Sequence, residues 1–599
     1  MIVFSSILLA STIAITGTSA VNPLADLPSS TQCRCGPEDD CWPSQKAWDD
    51  LNRQVNERLI KLQPIALPCY PGPAQDRDAC DAIVSKWSDQ DFYSTHPLGL
   101  MYPTNITCPA VDYNSGQTPG SCTLGPNPRY AVNATTTEEI QRTIAFAKEH
   151  NIRLVTKSTG HDINGRSDGY GSLELWLRYH RNGIEFQDKY SSQISCEDSA
   201  WSGHAIKIGG AYQWRDVYVV AKEHGVIVVG GGSPSVGAVG GWATGAGHGP
   251  ATRNYGMGAD QILEVEAVLA DGQVVVANVC QNSDLYKAFR GGGPGYAIAL
   301  SFTMKAHPNV DTIAVQRLEI APIAGNTSAL LDSVATLFQN YPAMNNAGFA
   351  GYAYWYLNSL APIFGSTTVG YYHDFWNIGS NVQQAKDAFL PVRNALGTLR
   401  DLVTIKETYN EYSDYWSMYD AESGLRDPVG SEASLTSRLF DPRAVSDYDA
   451  VRDYVDIASG DPKDFTSNVV LLVAGGQVAK DGEDPHAGLH PAWRTAPFLH
   501  IIGWGWAPGS DEGTKAYVRN NITNVKGAAQ KAIAPDTGGY MNEGDRLDPE
   551  WKATFFGNMY PEHLAAKRKY DPDNIFFCPI CIGSDEWIDL PETPLCRVS

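Results

Sequence analysis

Apolar and polar positions alternate with three different textures along the chain. The segment "TTTEEIQRTIAFAKEHN", which starts at Thr135, opens with a capping box of Thr136 and Glu139 and puts Ile140, Ile144 and Ala147 on one helical face. "IRLVTK" follows as an apolar strand. The unit then repeats: "HAIKIGGA" reads as a strand, "YQWRDVYVVAKEHG" as an amphipathic helix and "VIVVGGG" as a buried strand. Residues 262–279 predict a hairpin turning at Asp271 and Gly272, and "SDLYKAFRGGGPGYAIALSFTMKAH" a short helix, a glycine turn and a strand. Beyond about residue 308 the texture changes. "GYAYWYL", "TTVGYYHDFW", "NVVLLVAGG" and "FLHIIGWGWAP" alternate strongly, which predicts an antiparallel sheet with helices on one side. The segment from Tyr540 to Phe576 is again helical and ends in a Pro-Asp-Asn stop. Residues 21–125 show little periodicity and are rich in Cys and Pro.

These textures divide the chain into a leader (1–20), a Cys/Pro-rich arm (21–125), a first α/β unit (126–307), a sheet-rich unit (308–535) and a C-terminal segment (536–599) that returns to the first unit. The fold class expected is α+β. With 599 residues the chain exceeds one compact core, and 43% hydrophobic with 19% charged residues is an ordinary globular composition. The net charge of -22 argues against nucleic acid or an anionic membrane as partner, since both need a basic face.

The leader "MIVFSSILLASTIAITGTSA" has an apolar middle followed by Thr18, Ser19 and Ala20, a small-residue cleavage pattern, although its n-region lacks Lys and Arg. The run is short and broken by Ser and Thr, so it is read as a cleaved signal rather than an anchor, and the protein as secreted. Twelve cysteines, an even number, fit an oxidising compartment, with connectivity left open by the sequence. Four sequons, at Asn105, Asn133, Asn326 and Asn521, would be open to glycosylation there. Cys578 and Cys581 form a lone CxxC, read as a structural disulfide rather than a redox or zinc motif. No H-x-H or H-E-x-x-H occurs among the 13 histidines, so no metal site is expected.

Two loops carry the candidate chemistry. The glycine run from Val228 to Asp260 frees many backbone N–H groups for close approach to a pyrophosphate. It lacks the compact G-x-G-x-x-G of a nicotinamide fold and the G-K-[ST] of a P-loop, while its valines and Trp242 make it too apolar for a free surface loop. A buried dinucleotide cradle fits best. The other loop, "STGHDINGRSDGYGSLELWL", begins at Ser158 and holds an imidazole, His161, which a glycine turn does not need.

"TGHDINGRS", "GGSPSVGAVGGWATGAGHG", "DLYKAFRGGGPGYAIA" and "YDPDNIF" resemble the two phosphate loops, the glycine turn and the closing motif of the vanillyl-alcohol oxidase and berberine bridge enzyme-like flavoproteins. The resemblance covers residues 130–307 well and 536–577 moderately, and the middle unit only in pattern. It implies a two-subdomain FAD-binding fold of PCMH type plus an α+β substrate domain with a large antiparallel sheet. It implies FAD held by Thr159, Gly160, His161, Asp162, Gly165, Arg166 and Ser167 in the first loop. In the second loop it implies Gly232, Ser233, Val236, Gly237, Gly240, Gly241, Gly245, His248 and Gly249. His161 would carry the flavin covalently through the 8α-methyl group, because a neutral imidazole nitrogen can attack that position in its electrophilic tautomer. Many relatives add a cysteine bond to flavin C6. Ser233 stands at that position here, so a single histidyl link is expected. His248 either faces the flavin or packs the loop.

Tyr540, Asn542 and Glu543 resemble the segment that relatives place beside the isoalloxazine ring. Alternation would point Tyr540, Asn542 and Gly544 one way and Met541, Glu543 and Asp545 the other. Tyr540 or a neighbouring carboxylate is the candidate base, and Asn542 would orient the ring or the substrate oxygen. Tyr352, Tyr354 and Tyr356 on one strand, and His500, Trp504 and Trp506 on another, either line an aromatic pocket or pack the sheet. His373 belongs to surface or core. The function expected is a secreted, monomeric oxidase that transfers hydride from an alcohol or similar C–H donor to FAD and electrons to O2, giving H2O2. A dehydrogenase with another acceptor and a non-catalytic binding protein with a degenerate fold are the alternatives.

Overall fold

The computed structural model describes residues 32–598 except 195, 197, 198, 200, 360–364 and 423–428. The leader 1–20 lies outside the described residues. The strands form three main sheets. In the first, Tyr130–Asn133 and Leu154–Lys157 both run parallel to the central strand Leu173–Trp176. Helix Thr137–Glu149 makes the crossover, and its capping box is formed: Thr136 accepts from the Glu139 N–H at 3.3 Å, and Glu139 accepts from the Thr136 N–H at 3.2 Å. The second sheet is antiparallel and is centred on the long strand Ile298–Pro308, flanked by Ala205–Gly210 and Ile262–Val268. The expected hairpin is present, with Gly272 in the left-handed region at φ +84°.

The third sheet has seven antiparallel strands, in the spatial order Val403–Tyr412, Ile313–Pro322, Gly370–Ile378, Phe349–Tyr356, Ser467–Leu472, Phe498–Gly505, Ala433–Phe440. Helices Thr327–Asn346, Val382–Leu396 and Tyr448–Ser459 cover one face, where Phe338, Phe389 and Tyr454 bury against Trp355, Phe375 and Phe498. Period-2 alternation sends the other face, with Leu471, Leu499 and Tyr352, towards Ala246, Met257 and Tyr540. The second glycine loop and the C-terminal segment therefore meet this sheet on its helix-free side.

Residues 32–125 are more than an unpatterned arm. They hold helices Gln45–Gln54, Arg77–Ser85 and Gln90–Ser94, and strand Leu59–Lys61, which pairs with Tyr130–Asn133 as an edge of the first sheet. Gln45–Gln54 buries an apolar face of its own, with Trp48 and Leu51 packed against Tyr130 and Phe146. Crosslinks add to this packing: Cys35–Cys41, Cys69–Cys80 and Cys108–Cys122 within the arm, and Cys33–Cys596 across the whole chain. Cys196–Cys280 and Cys578–Cys581 complete six disulfides among the described residues, so the CxxC is a closed crosslink. No described helix is long and apolar enough to cross a membrane.

Candidate active site

The first loop leaves strand Leu154–Lys157 and is shaped by Asp162. Its carboxylate accepts from the Asn164 N–H at 3.1 Å, the Ser167 N–H at 2.8 Å and Arg166 Nε at 3.3 Å. An Asx-type turn of this kind needs a short carboxylate at that position. Asp162 thus holds the loop while Arg166 stays beside it. Gly160 has φ +84°, and a Cβ there would lie 2.2 Å from the Gly99 carbonyl oxygen. The Met101 N–H donates to the Gly160 carbonyl at 2.9 Å, so residues 99–101 of the arm are packed directly beneath His161. Asn164 ties the loop to the C-terminal segment by donating to the Met541 carbonyl at 2.9 Å, and Gly165 (φ +69°) completes the turn against Thr104 and Arg546.

His161 is half-buried, and its Nε2 lies 2.7 Å from Ser235 Oγ. The Ser235 hydroxyl donates to Gln90 Oε1 at 2.5 Å, and the Ser233 hydroxyl donates to the same oxygen at 3.2 Å. Desolvation, reinforced by the nearby Arg215 charge, pulls the His161 imidazole down to about 3. The ring is neutral at any physiological pH. No hydrogen bond among the described residues engages Nδ1.

In the second loop, residues 234–238 run beside 212–215. The Trp214 N–H donates to the Val236 carbonyl at 3.0 Å and the Ala238 N–H to the Tyr212 carbonyl at 2.9 Å. Gly237 faces the first loop: a Cβ there would meet Ser158 Oγ at 3.1 Å and Thr159 at 3.5 Å. Gly240, at φ +129° with no atom within 4 Å of its Cβ position, opens the single-turn helix Gly241–Thr244 onto free space. Gly249 crosses the Gly230 carbonyl so closely that a Cβ would be 1.8 Å from the oxygen. Gly245 is overlaid by the Asn542 amide, and Gly232 by the Tyr352 hydroxyl at 3.5 Å.

Ser158 Oγ, Arg166 Nη1 and Asn542 Oδ1 are buried polar atoms without a hydrogen-bond partner, although such atoms are normally satisfied. The first two belong to the first loop and the third to the C-terminal segment, where it overlies Gly245 of the second loop. A donor, a cation and an acceptor left open beside a glycine cradle fit the phosphates and the polar ring edge of a flavin dinucleotide.

Residues 540–545 form a turn, not the strand that alternation suggested. The Glu543 N–H donates to the Tyr540 carbonyl at 3.0 Å, which puts Tyr540 and Glu543 on the same side, both facing His248. His248 Nδ1 lies 3.2 Å from the Tyr352 hydroxyl and Nε2 lies 3.4 Å from Glu543 Oε1, with the Tyr540 ring 5.4 Å away. The imidazole therefore bridges two polar side chains rather than merely packing the loop. Asn542 donates to the Gly241 carbonyl at 3.1 Å and to the Tyr540 hydroxyl at 2.8 Å. Burial and the neighbouring Glu543 charge raise the Tyr540 phenol well above its ordinary range, and burial does the same for Tyr352. Asp545 caps the next turn through the Leu547 N–H at 2.8 Å.

The two aromatic strand faces separate. Tyr352, Tyr354 and Tyr356 stay half-buried on the glycine-loop side. His500 stacks on Trp355 at 4.8 Å inside the helix-covered core, with Trp504 on the same face, and His373 stacks on Phe375 at 4.0 Å. Those histidines are core. Gln90, Ser235, Arg215 and Tyr102, whose ring lies 6.3 Å from His161, were not predicted. Ser235 lay within the glycine run and Arg215 within the helix read from "YQWRDVYVVAKEHG", whereas Gln90 and Tyr102 lay in the arm, where no pattern was read.

The sequence matches the FAD binding domain family over residues 128–278 and the berberine and berberine-like family over 539–582. It is 50% identical to the FAD-linked oxidoreductase hmp9 of Hypomyces subiculosus over 568 residues, 94% of this chain and 90% of the relative. The crystal structure of the VAO-type flavoprotein MtVAO713 from Myceliophthora thermophila C1 superposes with a TM-score of 0.93 at 54% identity, covering 95% of this chain and 100% of that one. A glucooligosaccharide oxidase from Acremonium strictum with a 6-S-cysteinyl, 8α-N1-histidyl FAD shares the fold alone, with a TM-score of 0.59 and 17% identity over 76% of this chain and 92% of that one. With the loops, the cradle and these likenesses together, the chain belongs to the FAD-linked oxidoreductases of the vanillyl-alcohol oxidase and berberine bridge enzyme-like family.

Proposed function

We propose that the protein is a secreted oxidase of alcohols or carbohydrates, with a single covalent FAD on His161 and the chemistry carried out beside His248. The observation that supports this reading most is His161 itself. It is a neutral, half-buried imidazole at the mouth of a glycine cradle, with one nitrogen hydrogen-bonded and the other open. Ser233 in place of a cysteine supports one link rather than two. The first loop would hold the cofactor through Ser158, Thr159 and Arg166, the second through backbone N–H groups from Gly232 to Gly241, and Asn542 would meet the ring edge. Six disulfides fit an extracellular protein.

FAD, when bound, supplies the two-electron acceptor for a substrate hydride and passes those electrons to O2. The chain's own task is to orient the donor and take its proton. Glu543 Oε1 accepts from His248 Nε2–H, which leaves Nδ1 to accept from the Tyr352 hydroxyl. A substrate hydroxyl beside Tyr352 gives its proton to the phenol oxygen as the phenol proton moves to Nδ1, and Glu543 stabilises the imidazolium formed. Tyr540 and Tyr354 supply apolar walls for a ring-shaped donor.

The test is anaerobic mixing with a panel of alcohols and mono- and oligosaccharides, followed by air. The reading expects flavin bleaching with at least one donor and one H2O2 per reoxidation. Bleaching without peroxide would favour a dehydrogenase, and a chain without flavin would leave only a binding protein.

A further inference from the structure

The second nitrogen of His161 is engaged by a chain of side chains that begins outside both glycine loops. Gln90 opens helix Gln90–Ser94 of the arm, behind the Asp89 cap, whose carboxylate accepts from the Asp91 N–H at 2.7 Å. Asp91 pairs with Arg215 at 3.1 Å, which docks this helix against the second loop. From there Gln90 Oε1 receives the Ser235 hydroxyl at 2.5 Å, and Ser235 Oγ faces His161 Nε2 at 2.7 Å. Gln90 and Ser235 are both buried, at 3% and 0% exposure, so no water competes with this order.

We infer that Gln90 and Ser235 are positioning residues for the covalent modification: they fix the tautomer of His161 so that Nδ1 is the atom that bonds to the flavin. The inference rests on the reading that His161 carries the FAD. A neutral imidazole has one N–H. An amide oxygen only accepts, and of its two hydroxyl donors Ser235 is the nearer, at 2.5 Å against 3.2 Å for Ser233, so before the link forms the Ser235 proton goes to Gln90 and its Oγ presents a lone pair to the ring. The ring proton therefore sits on Nε2, and the lone pair sits on Nδ1.

Nδ1 forms a bond to the 8α carbon, one C–H bond of that methyl breaks, and its electron pair reduces the flavin ring. The methyl proton and the Nε2 proton both leave. O2 takes the two electrons and, with two protons, becomes H2O2, which restores the oxidised flavin. Nε2 now lacks a proton and becomes an acceptor. The Ser235 hydroxyl turns to donate to it, and Ser233, already 3.2 Å from Gln90 Oε1, keeps that oxygen satisfied. A hydroxyl at position 233 thus has a role in the finished link.

The test compares full-length wild type with Ser235→Ala, Gln90→Met, Gln90→Glu and His161→Ala. Two quantities are read: the flavin retained in acid-precipitated protein, and the ring nitrogen that carries it, by NMR of the isolated flavinyl peptide. Wild type should carry the flavin on Nδ1. A buried hydrogen bond of this kind biases a tautomer about tenfold, so Ser235→Ala and Gln90→Met should lose at least half of the acid-stable flavin or carry part of it on Nε2. Gln90→Glu, which keeps an acceptor, should behave as wild type. Wild-type flavin on Nε2, or both variants fully loaded on Nδ1, would overturn the inference. If Ser235→Ala fails to fold, Gln90→Met, which leaves the loop sequence intact, decides alone. Colour retained by His161→Ala would instead overturn the reading of His161 as the anchor.

Discussion

Replacing Gly160 by Ala probes how the arm supports His161. The residue sits at φ +84°, where a side chain costs about 1–2 kcal/mol. The added Cβ would lie 2.2 Å from the Gly99 carbonyl oxygen, against the ~3.3 Å that a carbon and an oxygen tolerate, so the arm and the loop must part by about 1 Å. That movement breaks the Met101 N–H to Gly160 C=O bond of 2.9 Å, which contributes about 1 kcal/mol. The sum is about 2–3 kcal/mol. Because His161 is the next residue, the shift also displaces the attacking ring, and a displacement of this size costs about 10²-fold in a positioned reaction. The control is Gly116→Ala, with φ +82° and no atom within 4 Å of the Cβ position, which carries the conformational cost only. Urea unfolding midpoints and acid-stable flavin are to be measured for both. Gly160→Ala should be the less stable by at least ~1 kcal/mol and should lose covalent flavin, whereas Gly116→Ala should keep it. Equal stability and full flavin loading in both would refute the idea that the arm buttresses the anchor.

Burial, with the nearby Lys305 charge second, holds His307 down at about 3. The unfolded chain therefore takes up its proton first, so this contribution is absent above pH ~7 and destabilises progressively as pH falls from ~6.5 towards ~3. Relative to His307→Asn, wild type should lose on the order of 3 kcal/mol between pH 7 and 4, read by urea midpoints. Cys33–Cys596 spans 563 positions, and its double Ser variant should cost about 2–5 kcal/mol by urea midpoint, whereas opening Cys578–Cys581, only three positions apart, should cost less. With a donor identified by flavin bleaching, His248→Gln and Glu543→Gln should each lower turnover by about 10²–10⁴ and change its pH profile. Tyr540→Phe, which keeps the apolar wall, should lower it by less than about tenfold; a loss as large as that of His248→Gln would make Tyr540 the base.

The repeated helix–strand units and four strands of the third sheet were legible because each is long enough to show its period, whereas Ile313–Pro322, Val403–Tyr412 and Ala433–Phe440 of that sheet were not read. The capping box at Thr136 and Glu139 and the turn at Gly272 appear where local chemistry demands them. The arm was not legible: Gln45–Gln54 does bury Trp48 and Leu51, but Arg77–Ser85 and Gln90–Ser94 are held by the Cys69–Cys80 crosslink and by docking contacts such as Asp91 with Arg215. Gln90 was invisible for the same reason: its partner Ser235 is 145 residues away, and no spacing rule joins them. The turn at 540–545 misled because alternation was read where the Glu543 N–H instead closes on the Tyr540 carbonyl. Sequence also could not tell the two aromatic faces apart, because which side of a sheet the helices cover is decided by residues far along the chain.

The covalent histidyl flavin is the claim on which the rest depends. Purified protein should be acid-precipitated, the spectra of pellet and supernatant taken, and the peptide containing His161 weighed. The account predicts a yellow pellet, a His161 peptide heavier by one FAD less two hydrogens, and a colourless pellet from His161→Ala. Yellow colour released wholly to the supernatant, with a His161 peptide of unmodified mass, would contradict it.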